Sequence, residues 1–224
     1  MAARVSTLFN RNDIWLGKQW QQQEQGISSG YAALDKQLAG GGWPQVGLVE
    51  LLGDSVGIGA LLQPLLKQKQ QQDRWQMCIA PPAQPHAPAW AAAGVELTRM
   101  VWIDSPCRKE QLWTLEHSLN SGCCSLILAW LDELSPTEAR RLQLAAKKGQ
   151  CLLLLHLPEA VVAQPHAVAL RLLVQPNRYG CDVRIIKQRG GWPQSDLALG
   201  LPHRPKPLPP QSSPMSAAVT HGPW

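Results

Sequence analysis

The sequence predicts an α/β fold: a mostly parallel sheet flanked by helices, with an antiparallel hairpin near the C-terminus and a flexible tail. Three observations predict it. Apolar runs such as SLILAW and CLLLLH alternate with amphipathic segments, the pattern of strands covered on both faces by crossover helices. Ser135-Pro136-Thr137-Glu138 is a capping box with proline at the first helical position, so a helix starts there. Two strand-like runs, 168–174 and 182–187, flank a turn at 177–180, which reads as a hairpin.

The elements follow in order. Residues 1–25 are polar and Gln-rich and read as an arm, with Ile14, Trp15 and Leu16 expected to dock on the body. Ser28 or Ser29 caps a short helix carrying Tyr31, Leu34 and Leu38 on one face. Gly40 to Gly42 stop it, and a strand follows over 48–52. A Gly-rich turn spans 53–59 and feeds a helix over about 60–70. A strand over 75–80 ends at Pro81-Pro82, and a short helix over 88–93 ends at Gly94. A strand over 100–103 precedes a helix over 108–119 that turns Leu112, Leu115 and Leu119 inward and stops near Gly122. The strand over 124–130 leads to the capped helix, with Leu142, Ala145 and Ala146 inward, and then to a buried strand over 151–156. The hairpin and one more strand over 197–201 complete a body spanning 26–201. The tail, 202–224, is Pro- and Ser-rich; its HRPKPLPPQSSP stretch suits polyproline II.

Composition narrows the class. A chain of 224 residues with 45% hydrophobic and 17% charged residues has a core to bury and is no coiled coil. Lys+Arg 21 against Asp+Glu 16 gives +5, which is compatible with a polyanion partner without requiring one. Ten Trp stand against one Phe and two Tyr, so the aromatic load sits in rings suited to cores and interfaces. The opening MAARVSTLFNRNDIW holds no apolar run of signal-peptide length, and no window spans a membrane; a cytoplasmic protein is expected. Cys78, Cys123, Cys124 and Cys151 lie in apolar runs and Cys107 and Cys181 at element starts. Without CxxC spacing they read as reduced core thiols, and no metal site is expected. The six His are scattered, with no base-like partner, and no catalytic residue is assigned.

The sharpest local feature is GLVELLGDSVGIGALL, a strand, a Gly-rich turn and a helix, the setting of a phosphate-binding loop. Counted from Gly53, the second glycine of GxxxxGK[ST] falls on Ile58, the lysine on Gly59 and the hydroxyl on Ala60. The cation and the Mg²⁺ ligand are both absent. Gly53, Asp54, Ser55, Gly57 and Gly59 remain as a degenerate loop with at most weak anion affinity. The strand over 75–80 runs into prolines instead of a carboxylate, and Asp132 comes two residues after the strand end at Trp130. No cofactor and no enzymatic activity are therefore expected.

ISSGYAALDKQLAGGGWPQVGLVELLG resembles the stretch that leads into the phosphate loop of RecA-type recombinases. GIGALLQPLL, APPAQPHAPAWAAAGVEL, LILAWLDEL with RRLQLAAKKGQ, and ALRLLV with VRIIKQRGGWP resemble the ImuA family, which is related to SulA-type division inhibitors. The resemblance covers roughly 10–201. It implies a RecA-like core and a non-enzymatic adaptor role in damage-induced, error-prone translesion synthesis. The implied partners are a polymerase-like subunit, an error-prone polymerase and the recombinase. Two alternatives stand beside it: a SulA-type inhibitor that binds the tubulin-like division GTPase, and a weak nucleotide-dependent DNA-binding protein. SulA-type chains tend to be shorter and to lack the full N-terminal RecA-like block; this chain keeps 26–53 and adds the late strand pair, which ranks that reading second.

Two basic sets are candidate partner or nucleic-acid contacts. Arg140, Arg141, Lys147 and Lys148 share a helix with Gln143 and form either a basic stripe or an ordinary wet face. Lys187, Arg189 and Trp192 join charge to flexible glycines and an aromatic; the other reading is a turn with Trp192 packed down.

Overall fold

The computed structural model describes residues 25–84 and 86–201. The expected arm, apart from Gln25, and the tail lie outside the described residues. Among these, five α-helices and eight strands form a mixed α/β structure. They are α1 (Ala32–Asp35), β1 (Gly47–Gly53), α2 (Ile58–Lys69), β2 (Trp75–Ile79), α3 (Ala87–Ala92), β3 (Met100–Ile103) and α4 (Arg108–Ser121). Then come β4 (Cys124–Trp130), α5 (Pro136–Lys148), β5 (Leu152–Leu157), a 3₁₀ turn (Glu159–Ala163), β6 (Leu170–Pro176), β7 (Gly180–Gln188) and β8 (Gln194–Gly200).

One sheet holds all eight strands in the order β3-β2-β4-β5-β1-β6-β7-β8. Pairing is parallel from β3 to β6 and antiparallel from β6 to β8. Alternate residues of each central strand face opposite layers. Val49, Leu51, Leu152 and Leu154 meet Leu61, Leu62, Leu65 and Leu66 of α2 on one side. Leu48, Leu52, Leu153 and Leu155 meet Leu115 and Leu119 of α4 and Leu142 of α5 on the other. This is why the central strands read as unbroken apolar runs.

The capping box forms as the sequence predicts: Glu138 N–H donates to Ser135 Oγ at 3.3 Å, and Ser135 N–H donates to Glu138 Oε2 at 2.8 Å. Gly122 ends α4 in the left-handed region (φ 70°). Several details differ. The first helix is a single turn with no side-chain cap; Asp35 instead accepts from Ser28 Oγ and from the Ser29 amide, both at 2.7 Å, which folds the lead-in back onto the helix. Helix α2 starts at Ile58, two residues before the expected start, because Gly57 (φ 87°) turns the chain directly into it. Leu112 is half-buried, not inward like Leu115 and Leu119. Cys123 is exposed and not part of the core.

Helix α2 carries Pro64 in its interior. Proline has no N–H to give the carbonyl four residues back, that of Ala60. The Tyr31 hydroxyl supplies the missing donor, at 3.2 Å. Gly30 (φ 83°) packs so close to this proline that a Cβ would sit 2.5 Å from Pro64 Cβ.

The centre of the sheet also buries charge. Glu50 on β1 and Arg171 on β6 are register partners. Both are buried, with Arg171 Nε 2.6 Å from Glu50 Oε2. His166 Nδ1 stands 2.6 Å from Glu50 Oε1. The rest of the guanidinium donates to the carbonyls of Val161, Val162 and Gln164, which ties the 3₁₀ turn to the sheet.

Candidate functional site

Ligands of open α/β sheets normally sit outside the carboxyl ends of the strands. At that end β1 runs into the Gly-rich turn. Gly53 takes φ 112°, and a Cβ there would lie 2.4 Å from the Val174 carbonyl oxygen, so the turn is pressed against β6. Two of its amides are used internally. The Val56 amide donates to Asp54 Oδ1 at 2.9 Å, and the Ile58 amide to the Ser55 carbonyl at 3.3 Å. Asp54 adds a carboxylate to the turn, a charge of the wrong sign for an anion. His156, at the end of β5, lies with Nε2 3.1 Å from the Gly53 carbonyl oxygen. Burial pushes its pKa down, against the upward pull of that hydrogen bond and of Asp54. At neutral pH the ring is uncharged and donates from Nε2. The turn joins β1 to α2, and Gly59 and Ala60 carry neither a cation nor a hydroxyl.

The opposite end of the sheet is built differently. Arg74 and Trp75 lead into β2, and Arg99 directly precedes β3; the Gln76 amide donates to the Arg99 carbonyl at 2.9 Å and zips the two strands. An open cleft of about 250 Å³ is lined there by Asp73, Arg74, Trp75 and Arg99. Asp73 pairs with Arg99 across it. Trp75 is 44% exposed. The Arg74 guanidinium lies beneath, donating to the carbonyls of Gly122, Gly149 and Gln150. These carbonyls end α4 and α5, so one side chain fixes the cleft floor to both helices. The cleft is small and open for a metabolite, whose pockets run from about 300 Å³ upward. An exposed tryptophan beside arginines suits a protein contact.

Sequence reasoning missed this cleft. Its one legible signal was a tryptophan at a strand start in a chain rich in tryptophan. A second exposed aromatic, Trp113 on α4, is 64% exposed and stacks on His117 with ring centroids 4.9 Å apart.

The residues singled out from the sequence fall as follows. Arg140 and Lys147 are exposed on α5. Arg141 pairs with Glu116 of α4 at 2.6 Å. Gln143 does not belong to that polar face: its Oε1 accepts from the Leu48 amide at 2.8 Å and holds the entry to β1. Lys187 Nζ donates to the His166 carbonyl at 2.6 Å, which commits it to the fold. The Arg189 amide donates to the Ala169 carbonyl at 2.9 Å. Trp192 is 82% exposed and does not pack down; only its carbonyl is engaged, by Gln188 at 2.7 Å. Among the described residues, no cluster of three or more His, Cys, Asp or Glu is arranged to hold a metal, and no helix is long and apolar enough to cross a membrane.

Comparison with known proteins gives a consistent result. The family model described as "Cell division inhibitor SulA" matches residues 51–153. SulA of Edwardsiella piscicida is 34% identical over 133 residues, 56% of this chain and 79% of that protein. SulA of Klebsiella aerogenes is 33% identical over 123 residues, 53% of this chain and 71% of that one. SulA of Citrobacter koseri is 39% identical over 111 residues, 48% and 63% of the two chains. The crystal structure of SulA from Pseudomonas aeruginosa is 25% identical with a TM-score of 0.44, over 50% of this chain and 97% of that one. These findings overturn the mutagenesis-adaptor reading. The matching proteins are named division inhibitors, and the matched family segment, 51–153, contains the LILAWLDEL block on which the ImuA resemblance drew. The polymerase-like subunit, error-prone polymerase and recombinase fall with it as expected partners.

Proposed function

The chain belongs to the SulA family of cell division inhibitors, and from that premise we propose that it halts division after DNA damage by docking on the tubulin-like division GTPase. It acts by contact, without chemistry of its own. The body over 26–201 is the docking unit. The observation that carries this reading is position: the Asp73–Trp75–Arg99 cleft lies wholly inside the segment shared with the family, 51–153. The degenerate turn supports it from the other end of the sheet, since the chain has kept the joint and lost the cation. A central β1 feeding that turn and α2 also supports a RecA-like ancestry for the body.

The test is direct. The protein is produced in growing cells while cell length is recorded, and the purified chain is mixed with the purified division GTPase. Filamentous cells and loss of GTPase polymer in sedimentation are expected. Normal cell length together with undiminished polymer would sink the reading.

A further inference from the structure

In an extended strand neighbouring side chains point to opposite faces, so consecutive cysteines hold their sulfurs apart. At the entry to β4 the chain leaves the left-handed Gly122 and does the reverse. Cys123 Sγ lies 3.7 Å from Cys124 Sγ. Cys123 is exposed, while Cys124 and Cys151, at the entries of β4 and β5, are buried. Ser121 Oγ stands 2.8 Å from Cys123 Sγ and accepts from the Cys123 amide at 3.2 Å. The Ser121 hydroxyl also reaches the Ser118 carbonyl at 2.7 Å; by rotation its one proton serves either that carbonyl or a Cys123 thiolate.

We infer that Cys123 and Cys124 form a peroxide-sensitive dithiol, with Cys123 as the attacking sulfur and Cys124 as the resolving one. An accessible thiol with a second thiol in contact is the arrangement in which a sulfenic acid resolves to a disulfide. The Cys123 thiolate attacks one peroxide oxygen and the O–O bond breaks. Sulfur loses two electrons and becomes a sulfenic acid, and hydroxide leaves. Cys124 sulfur then attacks the sulfenic sulfur, an S–S bond forms, and the second hydroxide leaves. The two thiol protons and two hydroxides end as two waters. A dithiol reductant returns two electrons and two protons and restores the pair. Burial pushes the Cys124 thiol up to about 12.

The site borders the cleft, because the Trp75 amide donates to the Cys123 carbonyl at 2.9 Å. Any effect on docking rests on the function proposed above; the modification itself does not. The full chain is treated with hydrogen peroxide, remaining thiols are alkylated, and peptides are weighed. The peptide holding both cysteines is expected to lose two hydrogens and to regain them with dithiothreitol. Cys107, an exposed free cysteine, is the internal reference and should react several-fold more slowly. Cys124→Ala should trap a dimedone adduct on Cys123. Cys123→Ser, a surface change that spares the fold, should abolish the mass loss. Oxidation of Cys123 no faster than Cys107, or its passage to sulfinic acid with Cys124 still alkylated, would overturn the proposal.

Discussion

Arg74 Nη2 donates to the Gly149 carbonyl at 2.6 Å, across a sequence separation of 75 residues. The same guanidinium reaches the Gly122 and Gln150 carbonyls. The ends of α4 and α5 and the entry to β2 therefore form one joint, held by the donor fork of a single side chain.

Arg74→Met orphans those carbonyls. Hydrogen bonds to charged groups and the cost of unpaired buried acceptors set the loss at roughly 3 kcal/mol. A lower urea midpoint with unchanged slope checks it. Arg74→Lys should recover only part, since a compact ammonium lacks the guanidinium's donor fork.

Tyr31→Phe removes the donor that replaces the missing Pro64 amide. The Ala60 carbonyl is left without that bond, at a cost of about 1–2 kcal/mol. Pro64→Ala restores the helix's own donor. In a double-mutant cycle the tyrosine change should then cost less, and equal costs in both backgrounds would show the bond to be idle.

Glu138 links the capping box to Arg108 of α4, with Arg108 Nη2 2.8 Å from its Oε2. Partial burial works to raise its pKa, but the hydrogen bonds from Arg108 and Ser135 prevail and hold it at about 2, below the ordinary 4.5. A depressed folded-state value stabilises above the unfolded one and is lost as pH falls. The stability gap between the native chain and Glu138→Gln should be full at pH 6 and shrink from pH 4.5 toward 2. Urea midpoints measured across that range give the answer.

Trp75→Ala should weaken docking on the division GTPase by about 30-fold, the 2 kcal/mol that marks an interface anchor. Trp113→Ala, on the outer face of α4, should leave it unchanged. Cell filamentation and a binding isotherm read both. The reverse ranking would move the docking surface to α4.

The elements were legible because each carries its own local signal. Ser135 to Glu138 states a helix start in four letters, and the leucines of β5 state a strand buried on both faces. The joints were not. Arg74 acts 48 to 76 residues away from itself, and no local pattern announces such a reach. Glu50 sits in an apolar strand, and its partner Arg171 lies in a run that reads only as hairpin. Gln143 was grouped with its charged neighbours because periodicity gives a face, not the direction of a long side chain. The cleft was hidden for a related reason: Trp75 and Arg99 belong to strands that meet only in the folded sheet. The family is hard to read for the same reason: a block such as LILAWLDEL, within the matched segment 51–153, marks a buried strand and says nothing of a surface.

The strand order has a consequence for synthesis. β1 lies at the centre, between β5 and β6, and its first pair, Gly47 with Leu152, joins residues more than a hundred positions apart. At 5–20 residues per second a ribosome takes on the order of 5–20 s to deliver β5 after β1. Through that interval the nascent chain exposes a strand whose first six residues end up buried, so a newly made molecule is open to proteases and chaperones before it has folded. The amount of folded protein in a cell is thus set partly by how many chains survive their own birth.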